Sequence, residues 1–406
     1  MKNTILCIAF IVCALSATTQ NTWTQMASLT ALNGRVNATG FSIGHYGFIG
    51  LGNTPSGFAN DFWQWDQNTN TWSPITNYPG AGRWGVTSFT IAGKGYSCFG
   101  WSGSANENDL WEYDTATKNW TQKATFPGAP RYGSFVFVLG AKAYIGCGEP
   151  NGPSYYQDVW VYNSMTDTWK QLANFPGGIR TSLCAFALNG HGYAGCGWDY
   201  STTYSDMWKY DTATDTWTSV ASFPISVTAP VSFVLDTLAY AGTGYYVSGG
   251  TYYRDFWNYS STTNKWTSIS TLPGAGRWLG VGFSIGSCGY VGTGEDSAGD
   301  MLQDYWGYCS GSQSNEAIAA ISQKFANMNI YPNPSSGVIH ITYELGGKDA
   351  ELVIMDMYGR HLNSYILNGR ENEITLDETF LNDGMYFYQL TLAGKLISSG
   401  KFIISR

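Results

Sequence analysis

The sequence predicts an all-β fold: six four-stranded blades arranged as a β-propeller, followed by a smaller β domain. Three observations predict it. The tripeptide Asp-x-Trp recurs at Asp61/Trp63, Asp109/Trp111, Asp158/Trp160, Asp206/Trp208, Asp255/Trp257 and Asp304/Trp306, at steps of 48, 49, 48, 49 and 49 residues. A second tryptophan series, Trp23, Trp72, Trp120, Trp169, Trp217 and Trp266, keeps the same step. Composition agrees, because 12 % charged residues, 16 % aromatic residues and 49 glycines describe short strands and turns rather than helices or disorder.

In chain order, the first segment carries Lys2, an apolar run over residues 5–15, and the small or polar Ser16, Ala17, Thr18 and Thr19. The run is about half the length of a membrane-spanning helix, so residues 1–20 read as a signal peptide cleaved near 17–20. Cys13 lacks the small preceding residue that a lipid-anchor site wants, since Ile11-Val12 stand there. No later segment has eighteen consecutive apolar residues, and no transmembrane segment is expected. The net charge of −8 offers no basic surface for phosphates, which sets nucleic acid aside.

Residues 21–309 hold the repeats. Each reads as four short strands: an apolar run, a Tyr-rich run ending in Gly-x-Gly, the Asp-x-Trp strand and a Thr-Trp strand. In the fourth repeat these fall at 181–188, 191–197, 206–210 and 216–220, with Asn189-Gly190 suited to a tight hairpin. Four antiparallel strands at this period make a propeller blade. The sixth repeat lacks its late Trp after Tyr308, whereas an unassigned late-Trp strand stands at 21–27. That strand is therefore expected to complete the sixth blade and close the ring.

Within these repeats Arg35, Arg83, Arg131, Arg180 and Arg277 open the first strand, and Gly50/Gly52, Gly146/Gly148, Gly195/Gly197, Gly242/Gly244 and Gly292/Gly294 close the second. Trp65/Trp72, Tyr113/Trp120, Tyr162/Trp169, Tyr210/Trp217 and Tyr259/Trp266 place an aromatic seven positions before the late Trp. In these features residues 21–309 resemble the kelch family. The family's adjacent glycines are spread to Gly-x-Gly, and the second repeat has Cys98-Phe99-Gly100, which marks a divergent member.

Residues 310–327 are small and polar and read as a linker, with a short helix expected around 317–325. Beyond them the pattern changes to alternating strands at 338–343, 351–355 and 385–391. The opening Pro332-Asn333-Pro334-Ser335-Ser336-Gly337, the turn Met357-Tyr358-Gly359-Arg360, the step Gly384-x-Tyr386 and the closing Arg406 resemble the type A C-terminal sorting domain of type IX (Por) secretion cargo. The resemblance implies that residues 328–406 form an immunoglobulin-like β-sandwich, recognised by the outer-membrane export machinery and then removed. It implies a secreted or cell-surface protein.

Chemistry is sparse. Only His45 and His191 lie in the repeats, each at a first-hairpin turn of a different blade, so the copper centre of galactose-oxidase-like kelch enzymes is not expected. No catalytic residue is singled out, and no metal site or cofactor is expected. The repeated Asp of Asp-x-Trp reads as structural, accepting backbone N–H groups before each third strand. For Arg83, Arg131, Arg180 and Arg277 the favoured reading is salt-bridging between blades, and the competing one is a positive ring at a channel mouth that attracts an acidic ligand. Six cysteines follow the leader without a Cys-x-x-Cys pair. A second-to-third-strand hairpin with Thr293 opposite Asp304 sets Cys288 opposite Cys309, a candidate disulfide.

Strand direction puts the loop entering each first strand and the loop between second and third strands on one face. The latter loops are the longest and least alike, and variation on a rigid scaffold is where recognition concentrates. The residue after each glycine pair is Asn53, Trp101, Glu149, Trp198, Tyr245 and Glu295, a ring of aromatics and carboxylates suited to a sugar. The competing reading has Trp101 and Trp198 filling gaps between blades. The leading expectation is a binding protein for a glycan or an extracellular protein. The alternative is a carbohydrate-active enzyme, for example a sialic-acid mutarotase-like kelch protein, and the third is a structural adhesin.

Overall fold

The computed structural model of the chain describes residues 22–29, 34–150, 152, 154–310 and 328–406, other than 344, 346–348, 357–360, 372, 378–380 and 393–394. The leader, the linker helix expected at 317–325 and the turn expected at Met357–Arg360 lie outside the described residues. The chain divides into two compact units, Met1–Ser310 and Gly311–Arg406.

The first unit is a propeller of six four-stranded antiparallel sheets. In the fourth blade the strands run Cys184–Leu188, His191–Gly195, Met207–Asp211 and Thr216–Val220, joined in that order. Asn189 and Gly190 take φ of 49° and 78°, the left-handed pair that a two-residue hairpin requires. Each blade buries a cross-strand aromatic pair on its first and second strands. Phe41/Phe48, Phe89/Tyr96, Phe137/Tyr144, Phe186/Tyr193 and Phe233/Tyr240 stack at 5.0–5.2 Å between ring centroids.

The ring closes as the tryptophan count predicts. Trp23–Gln25 pairs with the third strand of blade six, Tyr305–Cys309, with Trp23 opposite Tyr308. This outer strand also makes the links seen at other blade junctions. Late-Trp indoles donate to the preceding blade, as in Trp120 to Thr76 O at 3.0 Å and Trp169 to Ala124 O at 2.9 Å. Trp23 likewise reaches Ser270 O at 2.9 Å, and Ala27 O receives Trp72 at 2.8 Å. Cys288 and Cys309 stand opposite each other in the same blade and are joined by a disulfide, with Cα atoms 4.1 Å apart. Cys98, Cys147, Cys184 and Cys196 are buried free thiols.

Two expectations are corrected here. The five arginines are 0–2 % exposed, and each guanidinium pairs with the Asp of its own blade rather than of a neighbour: Arg35–Asp61, Arg83–Asp109, Arg131–Asp158, Arg180–Asp206 and Arg277–Asp304, at 2.5–3.0 Å. The cause is topological, since both partners sit at the same end of one blade. The Asp carboxylates, expected to take backbone N–H groups alone, receive in addition the guanidinium and the indole N–H of the Trp two residues on, at 2.7–2.9 Å, while Asp61, Asp158 and Asp304 also bond their own backbone N–H. Blade five has fully buried Val227 in the arginine position, within an apolar cluster.

Besides the indoles, backbone crosses between blades. The second glycine of each Gly-x-Gly donates its N–H to the carbonyl of the arginine position in the next blade: Gly52 to Arg83, Gly100 to Arg131, Gly148 to Arg180, Gly197 to Val227, Gly244 to Arg277 and Gly294 to Arg35, all at 2.7–3.0 Å. These six bonds form a closed circle. The donors have φ between 87° and 103°, a conformation that demands glycine, and at Gly148 a Cβ would stand 2.7 Å from the Tyr132 carbonyl oxygen. The second blade obeys the same rule, keeping Gly100 where it replaces only the first glycine by Cys98.

The second unit holds two sheets. Asn329–Tyr331, Val338–Thr342 and Glu373–Asp377 form one, and His361–Leu367, Ala350–Met355, Gly384–Leu392 and Lys395–Ile404 form the other in that order. Ile339, Ile341, Leu352, Ile354, Leu390, Phe402 and Ile404 fill the core between them, as in a β-sandwich.

Candidate functional site

A cavity of about 550 Å3 opens at the end of the propeller where the glycine pairs lie. A narrower space of about 190 Å3, lined by first-strand residues of all six blades such as Gly40, Ser88, Val136, Ala185, Ser232 and Gly282, marks the central channel. The mouth is built from one element repeated six times. The residue after the arginine position and the residue after the second glycine form an isolated antiparallel bridge: Val36 with Asn53, Trp84 with Trp101, Tyr132 with Glu149, Thr181 with Trp198, Thr228 with Tyr245 and Trp278 with Glu295. Eleven of these twelve residues line the cavity.

The structure thus brings Asn53, Trp101, Glu149, Trp198 and Glu295 together around one opening. Tyr245 is not in the lining; its ring packs on Trp278 at 5.2 Å and Tyr252 at 4.7 Å. Trp101 and Trp198 are half-buried and face the cavity rather than being sealed between blades. Arg83, Arg131, Arg180 and Arg277 do not reach it, because each is buried against its Asp. The positive ring considered from the sequence is therefore absent.

Sequence reasoning missed the other half of the wall: Trp84, Tyr132, Thr181, Thr228, Trp278 and the Phe58 side chain from the first blade's loop. A signal was available. The position after the near-constant arginine varies among Val, Trp, Tyr, Thr and Trp, a variable site directly beside a structural one. Among the described residues the lining contains four tryptophans, two glutamates and no lysine or arginine.

Glu149 is the perturbed group. Burial lifts its carboxyl to about 7, although the hydroxyls of Thr181 and Tyr132 hydrogen-bond to it and pull the other way. Burial and the neighbouring Glu149 charge push the Tyr132 phenol well above its ordinary value. Glu295 accepts the Trp278 indole N–H at 3.3 Å. Beside Trp198 a stacked Tyr200 lies 5.5 Å away, and Asp199 is held down at about 2: burial acts to raise it, and bonds from Tyr204, Thr202 and Ser201 outweigh that. His45 and His191 stand at hairpins on the opposite ends of the strands from the mouth. No group of three or more metal-ligating side chains occurs among the described residues.

Known proteins bear on this architecture. Residues 12–179 match the model of the KLHDC2/KLHL20/DRC7 kelch-repeats domain, and residues 329–405 match the secretion system C-terminal sorting domain. A solved structure described as that of YjhT superposes with a TM-score of 0.59 at 17 % identity, over 68 % of this chain and 94 % of that one, a likeness of fold alone. No curated protein matches the chain in sequence. Kelch repeats over residues 12–179 on a six-bladed propeller, and a C-terminal sorting domain of the type IX (Por) secretion system over residues 329–405, are what this chain shares with known proteins.

Proposed function

We propose that this protein is a glycan-binding module acting outside the cell or at its surface, and that it holds one or two sugar residues in the cavity at the propeller mouth. One observation carries the reading: a concave wall of Trp84, Trp101, Trp198 and Trp278 with a few polar groups set into it. Sugars present apolar C–H faces that stack on indoles, while carboxylates and hydroxyls fix their rims. A protein partner is served better by a broad face than by a cavity of this size. Export follows from the sorting domain; residues 1–20 would supply the signal peptide and 328–406 would be removed after crossing the outer membrane.

The mutarotase-like alternative draws support from Glu149, a carboxyl poised near 7 that suits proton transfer. It is weakened by the burial of Arg83, Arg131, Arg180 and Arg277 away from the mouth. An acidic sugar needs a cation, and among the described residues the lining offers none. A glycan array probed with the exported protein, followed by titration of tryptophan fluorescence, tests the reading. Trp101→Ala and Trp198→Ala are each expected to weaken the ligand so found at least tenfold with melting unchanged. Full binding by both folded variants would place the site elsewhere.

A further inference from the structure

Resting on the glycan reading, we infer that the sugar held at the mouth carries a protonated amine, as in a deacetylated hexosamine. Six blades make a ring, so the third and the sixth face each other across the channel. Glu149 belongs to the third and Glu295 to the sixth, and they bracket the cavity from opposite sides. Neither has a cationic partner in the lining. The ring arginines supply no compensating field, because every one is matched by an Asp of its own blade at 2.5–3.0 Å.

The loops around the opening sharpen this asymmetry. Glu107, Asp199, Asp296 and Asp300 add acid to the second-to-third-strand loops, and Arg254 is the single base in those loops. An anionic ligand meets repulsion there, and a neutral one leaves Glu149 and Glu295 with only the neutral donors Thr181, Tyr132 and Trp278 and no countercharge. An ammonium group satisfies both requirements, since it pairs with a carboxylate by charge-assisted hydrogen bonds and is attracted to indole faces. The raised affinity of Glu149 for its proton fits a site that waits for a cation. A pyranose ring bearing that amine uses the tryptophan wall, which a bare alkylammonium ion would leave largely uncovered.

Calorimetry on the exported protein distinguishes the possibilities with three probes of equal length: a β-1,4-linked glucosamine tetrasaccharide, its N-acetylated counterpart and cellotetraose. The glucosamine oligomer is expected to bind about tenfold tighter than either, and to lose that advantage in Glu149→Gln or Glu295→Gln, which keep size and hydrogen bonding. Equal binding of all three probes, or an advantage untouched by both substitutions in folded protein, overturns the inference and leaves the glycan reading standing. Binding of none of the three overturns both.

Discussion

Arg131 offers the sharpest test of how each blade holds together. Its guanidinium is 1 % exposed, donates to both oxygens of Asp158 at 2.6 and 2.9 Å, reaches the carbonyls of Cys147 and Ala129, and lies 4.2 Å over the Tyr156 ring. Replacing it by Met removes the cation and strands a carboxylate that is only 21 % exposed. Breaking a buried pair from one side costs about 3–5 kcal/mol, which in a domain of this size lowers the melting temperature by about 6–15 °C. The effect has a pH signature. Burial acts to raise the Asp158 carboxyl, but Arg131 and the Trp160 indole hold it below its usual value. The wild-type pair therefore stabilises the fold above the unfolded carboxylate range and loses that contribution as pH falls through the folded value. In Arg131→Met the carboxyl is raised instead, so the variant is weakest at neutral pH and regains stability on acidification. Arg131→Met/Asp158→Asn, which discharges both sides and keeps an acceptor for Trp160, is expected to recover more than half of the loss. Urea unfolding followed by tryptophan fluorescence at pH 7 and pH 4.5 reads all of this. A loss below about 1 kcal/mol, with no pH dependence, refutes the reasoning and makes the pair equivalent to a surface ion pair.

Four further outcomes are expected. Glu149→Gln stabilises the propeller by about 2–3 kcal/mol above pH 7; because the carboxyl is raised from 4.5 to about 7, the wild type loses stability across that window on going up in pH and the variant does not. Reducing the Cys288–Cys309 bridge, whose partners are 21 residues apart, lowers stability by about 3 kcal/mol in the loop-entropy account, read as a drop in melting temperature with reductant that is missing in Cys288→Ser/Cys309→Ser. Removing residues 22–29 exposes the third-strand edge of blade six and breaks the Trp23 and Ala27 links, so one lowered cooperative transition is expected in calorimetry, and an unshifted one counts against ring closure by this strand. Removing residues 328–406 traps a folded propeller in the periplasm, and normal appearance of the truncated chain in the medium contradicts the export role.

Much of the fold was legible because a propeller writes its period into side chains that must recur. Indoles recur at the same two strand positions from blade to blade, and the second glycine of each pair has a φ near 90° that other residues resist. The disulfide pairing was legible for a related reason, since antiparallel register is arithmetic once one pair of partners is known. The arginine partners were misread because the spacing of 26 or 27 residues to Asp says nothing about direction. That both ends of the spacing emerge at one end of a blade was available from strand direction, yet the expectation paired them across blades. The site was half legible for the same cause. The residues after the glycines stand out beside a motif, whereas Trp84, Tyr132 and Trp278 follow an arginine whose own role was unknown.

Scaffold and site are interleaved residue by residue at the mouth, and this explains how the cavity varies while the ring does not. The arginine position gives its carbonyl to the previous blade's glycine, and the glycine gives its N–H; neither bond uses a side chain. Blade five shows this directly, because Val227 accepts from Gly197 at 2.9 Å as the arginines accept elsewhere. Two residues after the arginine position, Asn37, Gly85, Gly133, Ser182, Ala229 and Leu279 all take left-handed φ of 50–71°, and consecutive members donate N–H to carbonyl at five of the six junctions. The backbone on either side of each lining residue is thus pinned by bonds between blades. A side chain between two pinned neighbours can change from Val to Trp without moving the frame that aims it, which is the preorganisation a stacking site for a rigid sugar ring requires. The same frame implies that losing one wall residue changes affinity with little change in melting, whereas altering a ring glycine such as Gly148 by Ala, which meets the Tyr132 carbonyl at 2.7 Å, unfolds the blade and the site together.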